Sequence, residues 1–185
     1  MTGQLPQALE LGGRNYPINA DFRNVLMIFD AFGDNNLTKE EKALVCIRLL
    51  YREMIPAPLV GEAISRAYWF CDGGDIPKSE PEKVKTLDWN HDGHILFPAL
   101  SKAAGTADIR SLSFLHWWTF LGLFGEITDG LFSTVMHIRR KKLRGQNLEK
   151  WERDFFKKNK NLVIIRTPEE QAAIEETEAF LKTIL

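Results

Sequence analysis

The stretch DWNHDGHILFPA, Asp88 to Ala99, places three oxygen-bearing side chains at alternate positions. Asp88, Asn90, Asp92 and Gly93 match the first half of a D-x-[DN]-x-[DN]-G calcium loop, and Ile95 matches its apolar eighth position. Calcium takes about six to eight oxygens, two of them from a glutamate at the loop's twelfth position. That position is Ala99, a methyl group. Phe97 and Pro98 stand where the exit helix of such a loop would begin. The plainer reading is a helix start, in which an Asp or Asn oxygen accepts an orphan backbone N–H. We expect the cap, with no metal site; a calcium- or metal-binding regulator built on Asp88, Asn90 and Asp92 is the alternative. His91 and His94 invite a zinc reading, but catalytic zinc needs three protein ligands, and this spacing with loose carboxylates matches no zinc motif.

Other chemistry is thinly represented. His116, in LHWW, could act as a general base, yet no serine, cysteine or aspartate is spaced to form a triad with it. There is no P-loop, no G-x-G-x-x-G and no H-E-x-x-H. We therefore expect no catalytic residues, no cofactor and no enzyme activity. The run HIRRKKLRGQNLEKWERDFFKKNK is basic, with Arg139, Arg140, Lys141, Lys142 and Arg144 nearly together. It reads either as a patch for phosphate or an acidic partner, which makes a nucleic-acid-binding protein through residues 139–144 a further alternative, or as the solvated face of two helices whose apolar residues include Val135, Ile138, Leu143 and Trp151. The Glu-rich segment EEQAAIEETEAF could neutralise it.

The elements that must position these residues read as mainly helical. Residues 7–18 read as a hairpin, with Gly12-Gly13 as the turn. Asn19 or Asp21 caps a first helix carrying Phe22, Val25, Leu26, Phe29 and Phe32. Thr38 and Glu41 have capping-box spacing, and Leu44, Ile47, Leu50 and Tyr51 give the second helix an apolar stripe. LVGEAISRAYWFC is a third helix, and 72–85 a polar loop. A fourth helix runs from about Asn90 to Gly105, with Pro98 implying a kink or a late start. A fifth begins near Ser111 or Ser113, a sixth spans about Asp129 to Arg144, and a seventh ends near Asn159. NLVII reads as strand. Thr167-Pro168-Glu169-Glu170 opens a last helix. The expectation is one domain over 1–165, of seven or eight helices with a hairpin. A C-terminal helix over 166–185 would pack on that domain or on a partner.

Bulk properties agree. The chain has 185 residues, 44% hydrophobic and 26% charged, a globular composition. A net charge of −1 argues against a nucleic-acid binder as a whole. Five Trp and twelve Phe suggest a large aromatic core or a buried partner surface. Cys46 and Cys71 lie on apolar helical stretches and fit a reducing compartment. MTGQLPQALE lacks signal-peptide regions, and FLHWWTFLGLF is far shorter than the roughly 20 residues of a membrane span.

Certain segments follow one another in order over most of residues 5–160. They are YPINADFR (Tyr16 to Arg23), LTKEEKALVCIRLLY, a loop ending FCDGG, DWNHDGHI, DIRSLSFLHWWTFLGLFGEI and FSTVMHIRRKKL. NADFR and LHWW-x-F-L are the most specific. In this order they resemble the tail-cluster family of siphophages and prophages known from its founding member as gene product fifteen. The resemblance implies a phage tail morphogenesis protein, encoded beside the tape-measure protein and similar to tail-assembly chaperones. It would bind the tape-measure protein in the host cytoplasm, with the tail-tube protein and a second copy of the chain as further partners, and be absent from the virion. The residues expected to meet the partner are Phe114, Trp117, Trp118 and Phe124 where they face solvent, rimmed by Arg139, Arg140 and Lys141. Adjacent helix positions point about 100° apart, so at least one of Trp117 and Trp118 belongs to the core.

Overall fold

The computed structural model describes residues 3–74, 86–166 and Glu170. The fold is mainly α. Among the described residues there are two strands, β1 (Ala8–Leu11) and β2 (Arg14–Pro17), and eight α-helices. These are α1 (Phe22–Gly33), α2 (Lys39–Leu50), α3 (Val60–Cys71), α4 (Trp89–Ala103), α5 (Trp117–Gly125), α6 (Gly130–Leu143), α7 (Lys150–Lys158) and α8 (Lys160–Val163). Short 3-10 turns occupy Ala57–Leu59 and Ile109–Ser111. The chain divides into two compact units, Met1–Lys83 with Phe97–Thr128, and Val84–Leu96 with Asp129–Leu185.

In the first unit the strands pair antiparallel, with Leu9 opposite Tyr16. Gly12 and Gly13 both have positive φ, at 55° and 80°, which a two-residue hairpin turn requires and glycine adopts without steric cost. A two-stranded ribbon is marginal alone. This one buries Leu9, Leu11, Tyr16 and Ile18, and β1 packs on α3. Its exit is tied to the end of α2: Asn19 N–H donates to the Leu50 carbonyl at 2.7 Å, and Arg52 N–H to Pro17 at 3.0 Å.

The expected caps form. Asp21 accepts from Arg23 N–H at 3.0 Å at the head of α1, and Thr38 and Glu41 complete a capping box on α2. The buried face of α2 differs from the expected stripe. Cys46, Leu50 and Tyr51 are buried, whereas Leu44 is 56% exposed, because the helix turns its Cys46 side toward α3. Tyr51 then donates from its hydroxyl to the Ala63 carbonyl at 3.0 Å. The helix expected from Ser111 or Ser113 begins later, at Trp117. The residues before it form a 3-10 turn capped by Asp108, and His116 takes the cap of α5.

In the second unit, NLVII is not a strand. Lys160–Val163 is helical, with Ile164 N–H donating to the Lys160 carbonyl at 2.9 Å. Of that stretch only Asn161, Leu162 and Val163 lie in the helix and Ile164 is already extended, while the Leu162 and Val163 carbonyls accept from Arg139 of α6. Residues 75–85 of the expected polar loop, and the expected C-terminal helix beyond Arg166 apart from Glu170, lie outside the described residues.

Candidate functional site

The calcium-like stretch resolves as a helix start. Asp88 Oδ1 accepts from Asn90 N–H at 3.0 Å and from His91 N–H at 2.8 Å. Residues 89–103 are helical, with Pro98 inside the helix rather than before it. A calcium loop bends its backbone so that alternate residues converge on one point, and a regular helix does not. Asp92 is fully buried and committed elsewhere, so Asp88, Asn90 and Asp92 do not converge as a ligand set. His94 Nδ1 faces the His91 carbonyl at 2.9 Å, and His91 Nε2 is enclosed without a hydrogen-bond partner. Among the described residues, no group of three or more His, Cys, Asp or Glu side chains is arranged to hold a metal.

Asp92 belongs to Arg139. Their fork is bidentate, Nη1 to Oδ2 at 2.6 Å and Nη2 to Oδ1 at 2.7 Å. The guanidinium also donates from Nε to the Val163 carbonyl at 2.8 Å, from Nη1 to Thr86 at 3.0 Å, and from Nη2 to Leu162. All five N–H donors are thus used. Asp92 Oδ2 also accepts from Asp88 N–H at 2.9 Å. Arg139 is 5% exposed, so it is a buried strut joining α6, α8 and the head of α4, and it leaves the proposed basic rim.

Lys141 is likewise engaged. Its Nζ donates to both oxygens of Glu152, at 2.7 and 2.9 Å. Glu152 is enclosed on α7 and also accepts from Glu149 N–H at 2.6 Å and meets His137 Nε2 at 2.8 Å. The Lys141 hydrogen bond, above all, holds the Glu152 carboxyl down to about 2. Of the three rim residues, Arg140 is exposed, and Lys142 and Arg144 join it at the surface. Lys142 also rides over the Phe156 ring, 4.2 Å from its centroid.

The aromatics of α5 are mostly structural. Trp117 is 1% exposed. Its Nε1 donates to the Cys71 carbonyl at 2.8 Å, and Trp118 Nε1 donates to the Phe70 carbonyl at 2.9 Å. The two indoles therefore bond successive carbonyls at the end of α3, of which that of Phe70 also accepts from Gly73 N–H at 3.1 Å. Trp117 leaves the partner-facing set for that reason. Trp118 and Phe124 are half-buried, and Trp118 meets Trp69 edge-on at 5.4 Å. Gly74, with φ of 87°, lies so close that an added Cβ would sit 2.8 Å from the Trp118 ring. Phe114, 47% exposed, is the one of the four that faces solvent.

His116 is a cap rather than a base. Its Nδ1 accepts from Trp118 N–H at 3.1 Å, and its Nε2 donates to the Pro6 carbonyl at 2.9 Å. With both ring nitrogens occupied, no lone pair remains for a substrate proton. Beside it, Asp21 accepts from Leu115 N–H at 3.0 Å and from Arg23 Nη1 at 2.9 Å, and Arg23 Nη2 donates to the Arg110 and Leu112 carbonyls. Phe22 N–H donates to the Leu115 carbonyl at 3.0 Å, and Trp117 N–H to Ala20 at 2.8 Å.

NADFR, FCDGG and LHWW are thus three sides of one joint in the first unit, far apart in sequence and interlocked through backbone groups. The residues that sequence reasoning missed are exposed apolar ones. Met27, Leu44 and Tyr68 lie on the first unit, and Leu131, Leu143 and Trp151, which is 52% exposed, on the second. Helical periodicity assigned Leu143 and Trp151 to packing, and no local signal marks them as surface.

The fold and joint define a mainly helical protein whose signature residues hold its own elements together. The match to a family model described as bacteriophage Gp15 protein covers residues 1–165, and the chain belongs to that family. No curated protein and no solved structure matches it. No helix among the described residues is long and apolar enough to cross a membrane.

Two measurements check this geometry. Replacing Arg139 by Met leaves Asp92 buried without its countercharge, and the expected loss is about 3–5 kcal/mol of unfolding free energy in urea titration. The double variant Arg139→Met with Asp92→Leu is expected to recover only part of that loss, because the Thr86, Leu162 and Val163 carbonyls and the Asp88 amide lose their partners. The second follows from Glu152. Its carboxyl titrates lower in the folded chain than its ordinary 4.5, so its contribution is complete above that value and disappears as pH falls toward about 2. Glu152→Gln is expected to flatten the acid limb of the melting-temperature profile over that window.

Proposed function

We propose that this protein is a tail-assembly chaperone that binds the phage tape-measure protein in the host cytoplasm and is left behind when the tail is complete. Membership of a phage family supports a role in morphogenesis. The observation that carries the finer reading is the division of labour among side chains. The polar and indole groups of NADFR and LHWW are consumed inside the fold, whereas large apolar side chains such as Trp151, Leu143, Phe114 and Tyr68 remain at the surface.

Exposed apolar side chains on a water-soluble domain commonly mark partner surfaces, and an amphipathic partner helix buries them by laying its apolar face across them. A tape-measure protein is long, helical and apolar, and exposed before the tube surrounds it. On α6 the exposed Leu143 stands beside the exposed Arg140 and Lys142, with Arg144 at its C-cap, and on α7 the exposed Trp151 stands with the exposed Lys157 and Lys158, a composition suited to an apolar helix with acidic flanks. Such a protein acts by binding, with no bond-making centre. The tail-tube protein and a second copy of the chain are further partners of the same reading.

Co-expression with the tape-measure protein of the same phage tests it. The expected outcome is a soluble complex that co-purifies, weakened about tenfold or more by Trp151→Ala, as for a central aromatic anchor, with the melting temperature unchanged. A tape-measure protein that stays insoluble, with no complex recovered, contradicts the proposal.

A further inference from the structure

The match to the family model stops at residue 165, and the segment after Arg166 has a composition of its own. Residues 167–185 carry Glu169, Glu170, Glu175, Glu176 and Glu178 against a single cation, Lys182. Set at about 100° per residue, Ala173, Ile174, Phe180, Leu181 and Ile184 fall on one side, with Glu176 and Glu178 at its two edges. That pattern is an apolar stripe with acidic margins.

The second unit holds the complement. A cleft of about 350 Å³ at the α6–α7 turn is lined by Lys142, Gly145, Gln146, Asn147, Leu148 and Arg153. Two cations line it and no carboxylate does. Among the described residues, neither these two nor the exposed Arg140 and Arg144 are paired with a carboxylate. Glu149 is turned toward Lys141 and the Trp151 indole. Exposed Leu143 and Trp151 add apolar surface on the same two helices. The segment also departs from the right place. α8 packs on both α6 and α7, Arg139 holds its Leu162 and Val163 carbonyls, and Arg166 donates to Asn161 at 2.9 Å. As a helix, residues 167–185 measure about 28 Å, against about 14 Å for α7, so they have the reach to run along it.

We propose that residues 167–185 dock in cis on this α6–α7 face, with carboxylates toward Lys142, Arg153 and Arg140 and the apolar side over Leu143 and Trp151. A tether of a few residues gives the segment an effective concentration of about millimolar, which favours it over the same segment of a second copy. The docked segment takes the face that the tape-measure reading gives to a partner helix, and such a helix must displace it. The docking itself needs no tape-measure protein, so the two readings fail separately.

The test uses the full-length protein, mixed as unlabelled and ¹⁵N-labelled chains and treated with a zero-length carbodiimide cross-linker. Peptide mass spectrometry is expected to find Glu175, Glu176 or Glu178 joined to Lys142, Lys150 or Lys157, in all-light and all-heavy pairs only. Amide exchange gives the second readout. Lys142→Glu with Arg153→Glu is expected to lower protection in residues 172–182 about tenfold, with α7 protection kept, and adding Glu176→Lys with Glu178→Lys is expected to restore it. If the reversal also strips protection from α7, the cross-links decide. The proposal is overturned by light–heavy pairs, by no cross-link to α6 or α7, by wild-type residues 172–182 exchanging as fast as unstructured chain, or by protection that the charge reversal leaves unmoved.

Discussion

The first unit depends on one carboxylate. Asp21 caps α1, receives the Leu115 amide and holds the Arg23 guanidinium, which in turn collects the Arg110 and Leu112 carbonyls. These are charge-assisted bonds on a side chain only 15% exposed, where water competes little. Through them a short stretch after the hairpin fixes the approach to α5. His116 then caps that helix, and its two tryptophans reach the open end of α3. Remove the carboxylate and the Leu115 amide, the Arg23 fork and the α1 cap lose their acceptor at once.

The second unit rests on a comparable device with a different anchor. Arg139 and Asp92 are a fully satisfied buried pair, which costs desolvation and returns geometric definition. It sets where α8 lies, because α8 carbonyls are among its acceptors. The consequence for the surface is direct. Arg139 and Lys141 point inward to Asp92 and Glu152, so the basic run exposes Arg140, Lys142 and Arg144 and not all five cations. Pairing within the fold trims what a partner meets.

Local chemistry was legible in the sequence where the structure uses local chemistry. Gly12-Gly13 specified the hairpin, Thr38 and Glu41 the capping box, and Asn19 or Asp21 the start of α1, of which the structure uses Asp21, each through residues within a few positions of one another. The family resemblance was likewise legible from NADFR and LHWW, although their reason was not. They pair across about ninety residues of chain, and no periodicity reports that. NLVII was misread because strand propensity is a weak preference that tertiary context overrides. The start of α5 was misplaced because serine was weighed as the cap and histidine was not. Leu44, Leu143 and Trp151 carry helical spacing without being buried, which depends on what packs beside them.

Native-state amide hydrogen exchange on wild type and Asp21→Ala tests the central claim most directly. The account predicts that the Phe22, Leu115 and Trp117 amides lose protection together, with the protected core of the first unit destabilised by about 3 kcal/mol. Loss of protection confined to the Leu115 amide, with Phe22, Trp117 and the core unchanged, would contradict it.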